Sequence, residues 1–253
     1  MKNTRLLADK AVDLLTSRLR STDLPAFRSI YVCGSYCRGD WLNCSSDLDI
    51  HMIINDSGSE YRESNLDYIK SIVTEAIGEE GFLSHCPGGI EYGFSYISDI
   101  PKTSAEACSP SPYAYFSTLM YDLKEHHLTI YGDEINTLLP DSPDPKANAR
   151  DWLLMLVERT KSLSIDDFRL PFNVYKAIIA AQLHHGEVTV NKYKILELYQ
   201  RCVPEFSMKW FGELVIRNYV GSFYPDRPPM QFSHVDYLRF IHGLMNITGI
   251  YNA

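Results

Sequence analysis

The segment from Arg28 to Ile54 restricts the fold of this chain more than any other. Two β-favouring runs, Arg28 to Cys33 and Leu48 to Ile54, flank a polar stretch that opens on Gly34-Ser35 and closes on Asp47. Side chains alternate along a strand, so Asp47, Asp49 and His51 share one face of the second run while Leu48, Ile50, Met52 and Ile54 share the other. The apolar row anchors this strand in a core and leaves two carboxylates side by side on the opposite face. The eleven residues between Ser35 and Asp47 suit a polar loop or a short helix.

The surrounding pattern completes an α/β unit. Leu7, Ala11, Leu14 and Leu15 recur at helical spacing, as do Leu66, Ile69, Ile72, Val73 and Ile77 within Tyr61 to Ile77, with Gly78 as a stop. Ile90 to Ile97, after Pro87-Gly88-Gly89, alternates as a third strand. The order helix, strand, strand, helix, strand predicts a mixed sheet flanked by helices. The two prolines and turn formers of Asp141-Ser-Pro-Asp-Pro-Lys146 read as a linker. Beyond it the periodicity is helical over 152–163, 172–185, 191–202, 208–220 and 233–247, broken at Gly186, Pro204 and Pro225 to Pro229. The expected fold class is therefore α+β (α/β-type), with residues 1–140 forming the mixed-sheet domain and 141–253 an all-α helical bundle.

Composition narrows the function classes. A chain of 253 residues with 45% hydrophobic and 22% charged residues has the make-up of a globular protein and excludes disordered and fibrous classes. Acidic residues outnumber basic ones, 32 against 24, for a net charge of −8. That balance disfavours nucleic acid, whose phosphates need Lys and Arg to displace counterions, and suits a cationic small molecule. Six cysteines make no CxxC pair and no cluster at zinc spacing, as expected of reduced thiols in the cytoplasm. Charge breaks the first apolar run early and no stretch reaches about 20 apolar residues, so neither a signal peptide nor a membrane partner is expected.

Two carboxylates at i and i+2 on one strand face repel, and a hard dication such as Mg²⁺ resolves the conflict by joining Asp47 and Asp49 to phosphate oxygens. Gly34 admits close approach of a phosphate to the backbone, Ser35 offers a hydroxyl and an N–H, and Arg38, one turn on, offers charge. At these residues the sequence resembles the DNA polymerase β-like nucleotidyltransferases, whose fingerprint is Gly-Ser, a loop, then Asp-hydrophobic-Asp. The resemblance implies transfer of a nucleoside monophosphate from a metal-bound nucleoside triphosphate to a hydroxyl. It also implies a third carboxylate on a later strand, for which Glu91 is the candidate, as base or as metal ligand.

The resemblance narrows to bacterial aminoglycoside adenylyltransferases of the streptomycin and spectinomycin type, in which a helical domain follows the catalytic one. Tyr121 to Pro140 is similar to the segment that closes the family's first domain, and Val174 to Lys192 to one that joins two bundle helices. By that resemblance Glu91 is the base, Lys192 reaches the triphosphate of ATP, and the acceptor is a cationic, hydroxyl-bearing aminoglycoside or aminocyclitol. Three departures stand out: one extra residue before Asp47, Arg38-Gly39-Asp40 in place of the family's usual residues, and a longer turn after Gly186 that leaves Lys194 an alternative to Lys192. Asp166 and Asp167 are the candidates for contacting the acceptor. Alternative readings are a protein, tRNA or metabolite acceptor, and a non-catalytic nucleotide-binding or antitoxin-like regulator.

Other polar and aromatic groups carry blander expectations. Adjacent His126-His127 and His184-His185 point about 100° apart on a helix and suit packing better than metal binding. His51 is either a group behind the carboxylates or a satisfied core histidine. Tyr113, Tyr115, Phe116 and Tyr121 are core aromatics unless one lines a cleft and stacks on adenine or a sugar.

Overall fold

A computed structural model describes residues 3–43, 46–78, 89–107, 122–141, 144–164, 169–187, 191–221 and 232–250. The chain divides into two compact units, Met1–Lys102 with Asp122–Pro140, and Thr103–Tyr121 with Asp141–Ala253.

The first unit is a mixed four-stranded sheet in the order β3-β2-β1-β4, built from β1 (Phe27–Cys33), β2 (Leu48–Ile54), β3 (Ile90–Tyr96) and β4 (Leu128–Gly132). β1 pairs antiparallel with β2 and β4, and β2 pairs parallel with β3. Helices α1 (Thr4–Leu19) and α3 (Arg62–Ile77) supply Ala8, Ala11, Val12, Leu15 and Leu19, and Ile69, Ile72 and Val73, to one core with Ile30, Val32, Leu48, Ile50, Met52 and Ile54. The apolar row of β2 thus faces helices, as the alternation required, and the Asp49 row is turned to the other side of the sheet. The single-turn helix α2 (Gly34–Arg38) fills the step from β1 to the polar loop. Strand β4 was not anticipated, because Leu128-Thr-Ile-Tyr-Gly132 is five residues long and acquires strand character by pairing with β1.

Among the described residues, the second unit has five long helices: α4 (Pro145–Ser162), α5 (Arg169–His184), α6 (Lys192–Cys202), α7 (Lys209–Gly221) and α8 (His234–Ile247). Helix α5 packs on each of the other four, and its nearly all-round apolar surface, with Val174, Ala177, Ile178, Ala180 and Ala181 all 0% exposed, explains why. Within the stretch expected as a linker, 144–146 belong to the start of a helix: Asp144 caps α4 by accepting the Lys146 N–H at 3.1 Å, and Pro145 occupies the first turn, where its missing N–H costs nothing. Ser233 and Asp236 form a reciprocal capping box at α8. No helix among the described residues is long and apolar enough to cross a membrane. Cys33, Cys37 and Cys202 are free thiols; Cys44, Cys86 and Cys108 lie outside the described residues.

Helices α6 and α7 touch through Gly212. A Cβ there would sit 2.4 Å from the Tyr199 hydroxyl and 2.8 Å from the Phe240 ring, and Tyr199 is fully buried with its hydroxyl donating to the Lys209 carbonyl at 3.1 Å. Gly212→Ala therefore exchanges a helix-propensity gain of about 1 kcal/mol for overpacking of about 1–3 kcal/mol. The expected result is a net loss of stability, read as a lower denaturant midpoint at unchanged slope.

Candidate functional site

The site begins where β1 ends. Cys33 pairs with Asp49, and Asp49 pairs in turn with Glu91 across the parallel β2–β3 register, so one row of the sheet carries Cys33, Asp49 and Glu91. Asp47 lies one residue before β2 on the same side as Asp49. One carboxylate oxygen from each of Asp47, Asp49 and Glu91 lies within 4.8 Å of the others, the first two residues half-buried and Glu91 exposed. The three acidic residues singled out in the sequence converge.

Gly34 makes this row possible. It turns the chain from β1 into α2 at φ +65°, a left-handed conformation that costs other residues energy, and a Cβ on it would lie 1.7 Å from Asp49 Oδ2. Backbone and space both demand glycine, and the carboxylate occupies the room a side chain would take. Ser35, next along, is 1% exposed, and its Oγ is buried with no hydrogen-bond partner. A buried hydroxyl left without a partner costs free energy, and a polar ligand at this turn would satisfy it.

The site therefore fits a hard dication such as Mg²⁺. Three carboxylates gathered at this distance are oxygen donors of the right kind for such an ion. The orphaned Ser35 hydroxyl on the adjacent turn suits the phosphate oxygens such an ion accompanies.

Behind the triad, the structure places Arg38 in a setting the sequence did not reveal. Its Nη1 donates to Asp122 Oδ2 and its Nε lies 3.3 Å from Asp40 Oδ1, with the three side chains 10%, 11% and 0% exposed. Burial alone would lower the Arg38 pKa, but the two carboxylates outweigh it and hold the guanidinium firmly charged. Burial raises the Asp122 pKa, only partly offset by Arg38. Asp122 was missed because nothing in the sequence pairs it with a residue 84 positions away.

His51 is a satisfied buried group. It is 6% exposed, its Nε2 lies 3.1 Å from Ser95 Oγ, and a Cβ on Gly93, its partner on β3, would come within 2.8 Å of its Nδ1. His127 packs edge-on against Tyr31 and lies 3.3 Å from Glu134, which accords with a packing role. His184 and His185 stack edge to face on each other, in line with the same expectation. Lys192 is the first residue of α6 and Lys194 sits two positions on; both belong to the helical unit. Asp166, Asp167, Tyr113, Tyr115, Phe116 and Tyr121 lie outside the described residues.

No family model matches the chain, and no curated protein matches it in sequence. Among solved structures it is similar to spectinomycin adenyltransferase AAD(9) from Enterococcus faecialis, solved with ATP and spectinomycin, over 96% of this chain and 98% of that one. The TM-score is 0.61 at 14% identity. The two chains share a fold.

Burial lowers the His51 pKa to about 4. The unfolded chain then binds this proton near pH 6.5 and the folded chain only near 4, so stability from this group is complete above 6.5 and is lost as pH falls towards 4. The loss is expected to reach roughly 3 kcal/mol. Denaturant titrations from pH 7 to 4 check it: His51→Gln should show a shallower fall than wild type, and parallel curves would refute the assignment.

Proposed function

We propose that this protein is a nucleotidyltransferase that moves AMP from ATP to a hydroxyl of a small cationic acceptor of the aminoglycoside or aminocyclitol class. The observation that carries the reading is the convergence of Asp47, Asp49 and Glu91 within 4.8 Å beside the Gly34–Ser35 turn. The fold shared with a spectinomycin adenyltransferase supports it, as does the acidic excess, which attracts a cation.

In this mechanism Asp47 and Asp49 would hold Mg²⁺, with Glu91 beside them as ligand or base, and a bound ion would supply charge neutralisation of the triphosphate oxygens. Gly34 brings the backbone of the turn close to the phosphates, and the Ser35 hydroxyl meets a phosphate oxygen. By the family resemblance Lys192, or Lys194 in its place, is assigned to the triphosphate, and the proposed domains are 1–140 and 141–253. Glu91 takes the proton of the acceptor hydroxyl. The resulting oxygen attacks the α-phosphorus in line, the bond from that phosphorus to the β-phosphate bridging oxygen breaks, and pyrophosphate leaves. Asp166 and Asp167 are assigned to the ammonium groups of the acceptor. Positioning and charge neutralisation account for most of the rate.

The test is a pyrophosphate-release screen over aminoglycosides, spectinomycin, candidate proteins, tRNA and metabolites, with ATP compared to GTP. Release dependent on an aminocyclitol and ATP is expected. Release only with a protein, tRNA or metabolite would move the acceptor class, and ATP binding without release would make the chain a regulator. Glu91→Gln should lower AMP transfer by about 10²-fold or more while ATP still binds. A near wild-type rate in Glu91→Gln would remove the base assignment, and an undiminished metal-dependent rate in Asp47→Asn would remove the metal site.

A further inference from the structure

The short helix that carries Gly34 and Ser35 is held at its middle by Tyr36, whose carbonyl accepts from Arg5 at 2.9 Å and whose hydroxyl donates to Asp9 at 2.9 Å, and at its end by Arg38. It has five residues, no side-chain cap at its start, and a left-handed glycine, Gly39, immediately after it. Its last residue, Arg38, is tied on one side to Asp40 in the following loop and on the other to Asp122, which enters the sheet unit 84 residues later. We infer that Asp122 is a positioning residue: through Arg38 it clamps α2, and with it Gly34 and Ser35, against Asp49. The inference rests on the nucleotidyl-transfer reading and assigns Arg38 a task other than phosphate contact.

Three observations carry it. Gly34 and Arg38 stand at i and i+4, on one face of a single turn, so whatever fixes Arg38 also fixes how closely Gly34 approaches Asp49. The Asp122 carboxylate has its Oδ1 buried without a hydrogen-bond partner, so its charge depends on the bond from Arg38 to Oδ2. Finally, the Arg38 guanidinium is engaged by two buried carboxylates, Asp40 and Asp122, which draws its charge away from a triphosphate.

The experiment uses the full chain as wild type, Arg38→Gln, Asp122→Asn and the double variant, with thermal unfolding as a check on folding. A clamp predicts that each single change lowers kcat/KM for ATP by about tenfold or more, by factors within about threefold of each other. It also predicts that the double variant, which keeps the cluster's net charge, is no worse than the poorer single. A rise of KM for ATP confined to Arg38→Gln, or losses that multiply in the double variant, would overturn the inference. Mn²⁺ binding followed by electron paramagnetic resonance gives a readout free of any acceptor. Charge alone would make Arg38→Gln bind Mn²⁺ more tightly, whereas loss of the clamp weakens binding, so tighter or unchanged binding would also overturn it. Where Arg38→Gln fails to fold, the double variant carries both readouts. A wild type that binds Mn²⁺ but transfers nothing would remove the functional reading and leave the Mn²⁺ comparison to decide the clamp.

Discussion

The approach of Gly34 to the Asp49 carboxylate is the contact on which the site depends. A strand must end, the chain must turn with a positive φ, and the turn must pass so near the next strand that a Cβ would meet a carboxylate oxygen at 1.7 Å. The antiparallel register that pairs Cys33 with Asp49 brings the two together, and the parallel pairing of β2 with β3 sets Glu91 on the other side of Asp49. Backbone hydrogen bonding, which is indifferent to chemistry, thus assembles three like charges. The burial of Leu48, Ile50, Met52 and Ile54 against α1 and α3 opposes the repulsion.

The sheet's second face is otherwise occupied by polar groups that satisfy one another. Tyr31 Oη lies 2.6 Å from both Ser29 Oγ and the Asp133 carbonyl, and burial raises its pKa to about 12. His51 meets Ser95, and Arg38 meets Asp40 and Asp122. These contacts lend rigidity in a low-dielectric setting, and the unpartnered Ser35 hydroxyl, next to Gly34 on the turn that approaches Asp49, is a place for a ligand atom.

Much of this was legible in the sequence because the relevant signals are local. Period-two alternation marked β2 from Leu48 to Ile54 and put Asp47 and Asp49 on one face; helical periodicity found the five helices of the second unit to within a few residues at most ends. Where the reading failed, a tertiary contact or an end effect was responsible. Strand β4 is short and exists through its pairing with β1, and the start of α4 was hidden because Pro145, which resembles part of a linker, sits at the helix N-terminus.

The sequence by itself determined the two kinds of architecture and the glycine, serine and acidic residues of the site, since strand alternation and turn chemistry act over a few residues. Only the tertiary structure decided that Glu91 lies beside Asp49, that Gly34 is required by space as well as by φ, and that Arg38 is paired with Asp122. Strand register and buried ion pairing are settled by how distant segments pack, and no short-range pattern encodes a bond across 84 residues.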